Sequence, residues 1–359
     1  MSFTQLNPSD FVISNDSVTA PAWSSNVPVL ATFFTQSQVP TSTISAGAYY
    51  LNVYQQAYGS NGAAVQFAIA YGNIFGSGSP WLNSLVPGVS PSLTTYNQYQ
   101  TLVYGPEVTG SQGFNFGGAT QRAQDIWVLN IERNRYKQSL MPGTFNLSLS
   151  GSGGTITITD NSNDTSVINY LDCGRVFTLV SGSFGRSVNQ TLTNASGQGQ
   201  TVSGSYGFFL PDIATIILNP SALNLSFGQG GIGLNRDTAS YGLITPAASA
   251  SYTSTNNTLM YQAISGARNF QLNSEETVSS DYIFVRINNA EYNYSTNPTF
   301  TSGSSGAVLY DTMIYSPQTF VTTIGLYNDN SELLAVAKMS QALVKDFTKE
   351  ALIRVKLDW

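Results

Sequence analysis

The sequence predicts a mainly β fold of antiparallel, sandwich-like sheets, with an extended N-terminal arm and at most one or two short helices. Three observations carry this expectation. Short runs rich in β-branched and aromatic residues, many of them alternating with polar ones, recur along the chain between Gly, Pro, Asn and Asp turn signals. Hydrophobic residues make up 42% and aromatic residues 12%, enough for a full core. Charged residues make up only 9%, against about a quarter in ordinary domains, so the surface must be built from Ser, Thr, Asn, Gln and Gly.

A chain of 359 residues is long for one all-β domain. The expected organisation is an arm over 1–45, β domains over 46–140 and 141–218, a long loop or insertion over 219–258, and a C-terminal β domain over 259–359 that completes the sheets. Pro21, Pro28 and Pro40 oppose regular helix and central strand in the arm. Its aromatic residues Trp23, Phe33 and Phe34 are costly to expose, which makes them candidate contacts with a neighbouring subunit. AYYLNVYQQAY (48–58) and AAVQFAIAYG (63–72) flank Asn61-Gly62 as a hairpin would. YNQYQTLVYG (96–105), DIWVLNI (125–131), TFNLSLSG (144–151) and TITITD (155–160) read as further strands.

The pattern continues through VINYLD, RVFTLVSGS and YGFFLPDIATIILN. The Gly-, Asn- and Ser-rich stretch after it is the long loop. TLMYQAIS (258–265) is the one predicted helix, with Gly266 as its closing residue. VLYDTMIYS (308–316), TFVTTIGLY (319–327), LLAVAKMSQ (333–341) and ALIRVKLDW (351–359) read as strands, the middle two joined by the turn NDNSE.

Composition excludes several functions. The net charge is −6 and 14 Lys and Arg are spread thinly, which argues against a nucleic-acid partner. There is no histidine, so the commonest general base and metal ligand are both missing. The single Cys173 forms no internal disulfide, and without a histidine beside it reads as an inert buried thiol. The N-terminus lacks the basic and apolar segments of a secretory signal, and no apolar run approaches the ~20 residues of a membrane-spanning helix.

Gly228, Gly230 and Gly233 spell G-x-G-x-x-G, but the next residues, LNRDTASYG, do not read as a helix, so a glycine loop is expected and not a dinucleotide site. Asp160, Ser162 and Asp164, and likewise Asp329, Ser331 and Glu332, suit turns better than calcium loops. Glu275 and Glu276 point to opposite faces of a strand. No enzyme activity, cofactor or metal is expected.

Charge is distributed unevenly. Before Arg122 the only charged residues are Asp10, Asp16 and Glu107, which suits burial against neighbouring subunits. Near the C-terminus Lys338, Lys345, Lys349, Arg354 and Lys356 interleave with Asp346, Glu350 and Asp358. Arg354, Lys356 and Trp359 are the further candidate subunit contacts.

FVRINNAEYNYSTNPTF (284–300) and PQTFVTTIGLYNDNSELLAVAKMSQALVKDFTKEALIRVKLDW (317–359) resemble a family of virion structural proteins of contractile-tailed phages of cyanobacteria and marine bacteria. DIWVLNIERNRYKQSLMPGTFNLSLSG (125–151) is similar to that family too. The resemblance implies a tail or baseplate component, localised in the virion and assembled in the host cytoplasm. Its implied partners are other virion proteins and copies of itself, with no membrane insertion. Two other roles suit the same composition: a capsid cement or neck protein, and a receptor-recognition protein whose Tyr, Trp, Asn and Gln bind a host-surface glycan.

Overall fold

The alternating segments fold as antiparallel strands. The computed structural model describes residues 4–35, 50–74, 76, 92–106, 114–116, 123–188, 206–236, 252–294 and 297–358. The N-terminal segment is not a free arm: β1 (Phe11–Pro21) pairs within a sheet, and β2 (Val29–Leu30) and β3 (Phe34–Thr35) follow it into a second one. β4 (Tyr50–Tyr54) and β5 (Val65–Asn73) form the expected hairpin, with Gly62 at φ +89° in its turn.

The strand predicted over 96–105 is instead part of a helix, α1 (Ser92–Tyr104). Its tyrosines favour strands, but the buried positions Ser92, Tyr96, Gln100 and Val103 recur at helical spacing. Gly105 closes it in the left-handed region, its N–H bonded to the Thr101 carbonyl at 2.9 Å.

Next come β6 (Asp125–Ile131), β7 (Ser139–Leu140), β8 (Asn146–Gly151), β9 (Gly154–Asp160), β10 (Asn169–Leu171), β11 (Gly174–Ser183) and β12 (Arg186–Ser187). β13 (Gly207–Leu210) and β14 (Thr215–Leu218) lead into α2 (Pro220–Leu223), which Asn219 caps by accepting the Ser221 N–H. The stretch read as a long loop therefore opens with a helical turn; its residues 237–251 lie outside the described residues.

The predicted helix is longer than expected. α3 spans Tyr252–Ala267, and Arg268 (φ +56°), not Gly266, takes the left-handed closing position. Gly266 lies inside the helix, where an added Cβ would already meet Ser150 of β8 at 3.4 Å.

β15 (Phe270–Gln271) and β16 (Asn273–Ile287) follow, then the short pair β17 (Thr301–Ser302) and β18 (Ala307–Val308). α4 (Asp311–Tyr315) stands where VLYDTMIYS was expected to continue as strand; Asp311 in its first turn suits a helix N-terminus. β19 (Thr319–Tyr327), β20 (Leu333–Lys345) and β21 (Ala351–Asp358) complete the chain as predicted. The fold is mainly β, and the described residues include four α-helices, more than the one or two expected.

Two compact units result: Val18–Glu276, and Met1–Ser17 with Thr277–Trp359. The expected division at 140/141 is absent, because β14 pairs with β6 and β15 pairs with both β2 and β8. A 13-stranded sheet results, in the order β2-β15-β8-β9-β11-β13-β14-β6-β5-β4-β3, with β10 and β12 on β11.

Its central strands are buried on both faces. Trp127, Leu129 and Ile131 of β6 join Met260, Ala263 and Ile264 of α3 in the main core. Ile126 and Val128 join Tyr96 and Val103 of α1 in a second core. This two-sided burial is why DIWVLNI, GFFL and TIIL are near-continuous apolar runs. Among the described residues no helix is long and apolar enough to cross a membrane.

Candidate interaction surface

Several groups of the larger unit that could carry chemistry make structural contacts among the described residues. Cys173 is buried, and burial, the largest cause, pushes its thiol up to about 11, far from a reactive thiolate. Burial likewise raises the carboxyl of Asp160, which accepts the backbone N–H groups of Gly143 and Ser162 at a turn. Arg175 joins Asp212 (2.6 Å) and Glu275 (2.8 Å) and also donates to Ser139, so both carboxylates are spent on one guanidinium. Asp125, buried, binds Arg236 and accepts from the Tyr71 hydroxyl.

The glycine motif is a packing loop. Gly230 and Gly233 have positive φ, and a Cβ on Gly231 would lie 2.1 Å from the Leu225 carbonyl oxygen. The Ile232 carbonyl of the same loop accepts from Gly153 at the β8–β9 turn. Among the described residues no cluster of three or more His, Cys, Asp or Glu is placed to hold a metal ion.

The smaller unit is built differently. Its sheet runs β1-β16-β21, with β16 in the centre. β16 and β21 pair over eight residues each, from Ser280↔Asp358 to Ile287↔Ala351. One face carries Ile283, Ile287 and Val355, and these are the only buried apolar side chains of this unit among the described residues. The opposite face carries Tyr282, with Arg354 (5.4 Å) and Lys356 (5.8 Å) over its ring. Asp358 is held below its ordinary value chiefly by the hydrogen bond from Lys356, then by Ser280. The same bond holds Lys356 above its own. Asp10 on the entry to β1 binds Arg286 at 3.0 Å.

β19 and β20 pair only with each other among the described residues. The turn between them is organised by Asn328: its Oδ1 accepts the N–H of Asn330 and Glu332, while its Nδ2 donates to the Glu332 carboxylate at 2.7 Å. At the far end Lys345 is fully buried, and its Nζ donates to the Asn289 carbonyl, Asn293 Oδ1 and the Asp346 carbonyl within 2.9 Å.

Held at both ends, the hairpin carries apolar side chains on both faces. The Phe320↔Val344, Gly325↔Val336 and Tyr327↔Leu333 pairs present one face; Val321↔Leu343, Ile324↔Ala337 and Leu326↔Ala335 present the other. Apart from Lys345 no residue of either strand is buried. Phe320 is 63% exposed and Val336 57%. A two-stranded ribbon is marginal alone in water, and apolar residues at both parities belong to strands covered on two sides.

The exposed apolar surface extends beyond the hairpin. Among the described residues of this unit sixteen large apolar side chains are exposed against three buried, the exposed ones including Phe11, Val12 and Ile13 on β1, Tyr315 on α4, and Leu352 on β21.

The expected contact residues are sorted by this geometry. Trp23 lies in the main core, edge-on to Phe270 at 4.8 Å, its indole N–H shared between the Pro28 and Phe270 carbonyls. Phe33 is buried in the same core. The chain itself covers both rings, because their segment is threaded into the sheet by β2 and β3. Phe34 is 41% exposed. Arg354 and Lys356 are exposed on β21, and Trp359 lies outside the described residues. Phe11, Val12, Ile13, Phe320 and Val336 were not singled out from sequence. The signal was present in FVI and in TFVTTIGLY, where apolar residues occupy both parities of a strand.

No family model, no curated protein and no solved structure matches this chain.

Proposed function

We propose that the chain is a structural subunit of a tailed-phage particle, in the tail or baseplate, working through packing against neighbouring subunits and without catalysis. The observation that carries the packing role is the smaller unit: among its described residues three apolar side chains are buried and sixteen large ones exposed, and its hairpin buries no apolar side chain on either face. A unit of that kind gains its missing burial from other chains, at roughly 25 cal/mol per Å² of apolar surface removed from water. The choice of a phage tail rests on the resemblance of 284–300 and 317–359 to virion proteins of contractile-tailed phages. That resemblant sequence includes the exposed hairpin.

Mass spectrometry of purified particles, with gold-labelled antibody against the chain, tests the reading. Label on the tail or baseplate supports it. Label confined to the capsid or neck moves the subunit there, and absence from the particle removes the virion role altogether.

A further inference from the structure

We propose that β1 is a self-pairing edge, by which two copies of this chain join antiparallel about Asn15. The inference rests on the packing role above and names one partner for it: a second copy. The sheet β1-β16-β21 has two outer strands, and they differ in chemistry. β21 carries exposed Arg354 and Lys356, the cationic side chains that discourage a sheet edge from pairing with its own kind. β1 is eleven residues long, with no Lys, no Arg, and no proline before its last residue. Phe11, Val12, Ile13 and Val18 are all exposed on it, Ile13 at 73%. A long strand without cationic side chains, paired on one side only among the described residues, is a template for another strand.

Side-chain chemistry selects the second copy and the register. A twofold axis perpendicular to the sheet keeps corresponding faces on the same side, so even-numbered residues face even-numbered ones. Centred on Asn15, this sets Val12 against Val18 of the second copy, twice by symmetry. It also sets Asp16 against Ser14, so the strand's one charge meets a hydroxyl. Shifting the centre to Ser14 opposes Val12 with Asp16. Shifting it to Asp16 opposes the two carboxylates. Of the registers that pair nine or more residues of β1, the Asn15 register alone matches apolar to apolar and separates the charges; those centred nearer the ends, as on Val12 or Val18, also oppose apolar residues but pair seven or fewer. The same operation on β21 brings Arg354 or Lys356 against each other in every such register near the strand's centre.

Two measurements on the full chain test this. On oxidation, Asn15→Cys should form an intermolecular disulfide, since residues on the axis sit about 4.5–5.5 Å apart between Cα atoms, within disulfide reach. Val12→Cys should not, because the two copies of residue 12 lie roughly 20 Å apart along the strands; Cys173, the one other thiol, is buried. In sedimentation equilibrium, Ser14→Asp should weaken the dimer about tenfold through two new carboxylate pairs. Ser14→Lys should tighten it, and Ser14→Asp with Asp16→Lys should restore it. Val12, Asn15 and Asp16 are exposed and Ser14 is half-buried, and none lies in a buried core, so folding is preserved.

A monomer at all concentrations overturns the proposal. So does cross-linking at Val12 as readily as at Asn15, or a response at Ser14 blind to the sign of the charge. These outcomes are separable from the virion reading: a monomer found in particles defeats only the dimer, and a dimer absent from particles defeats only the virion role.

Discussion

Burial separates side chains that hold this chain together from those that face outward, and neighbouring aromatic residues fall on opposite sides of that line. Trp23→Ala should cost about 3–5 kcal/mol of stability in urea unfolding, through the cavity beside Phe270 and the loss of the indole donor that the Pro28 and Phe270 carbonyls share. Phe34→Ala should change it by less than about 0.5 kcal/mol. Lys345→Met removes three hydrogen bonds and leaves Asn293 Oδ1 in a buried site, which should cost at least about 2 kcal/mol and raise hydrogen exchange at 288–293.

The Asp358–Lys356 pair sets a pH window. A carboxyl held below its ordinary 3.8 stabilises the fold above that value and loses its contribution as pH falls through the folded value. An amine held above its ordinary 10.5 contributes below that value and loses it as pH rises further. Stability of the β16–β21 end should therefore be flat across neutral pH and fall at both extremes. Asp358→Asn should abolish the acid limb, read by following exchange of the Ser280–Tyr282 amides against pH.

At the scale of elements, the β19–β20 hairpin is defined by its turn and anchored by its last residue, yet one face is exposed and the other only half-buried. Phe320→Asp and Val336→Asp should leave the urea midpoint nearly unchanged, because neither side chain is buried in the chain. Both should abolish incorporation into particles, scored by complementation of a deletion phage.

The strands of this hairpin were legible in sequence because turn chemistry and alternation coincide at NDNSE. α1 was not, because Tyr96, Tyr99 and Tyr104 favour strands individually, and only their spacing with Ser92, Gln100 and Val103 shows a helix. Gly266 does not end its helix: α3 runs on to Ala267, and Arg268 takes the left-handed position.

The division of the whole molecule was not legible from local pattern. Residues 11–21 pair with residues near 280, and β14 returns to β6 across more than eighty positions, so both units depend on long-range pairing. Polar composition hid the larger unit's two cores, which the runs DIWVLNI and TIIL show only once they are seen as strands covered on both faces. What composition did reveal was the shortage of charge, and its meaning is now specific: in the smaller unit the exposed apolar surface among the described residues lies mostly on β1, α4 and the β19–β20 hairpin, while Trp23 and Phe33 are covered by the chain itself.

The central claim is that neighbouring subunits supply the burial this surface lacks. A cryo-EM reconstruction of the particle at side-chain resolution measures that directly. The account predicts this chain in the tail or baseplate, with Phe320, Val336 and Leu352 in contact with other chains. A reconstruction that lacks the chain, or that holds it with both faces of the hairpin open to solvent, contradicts it.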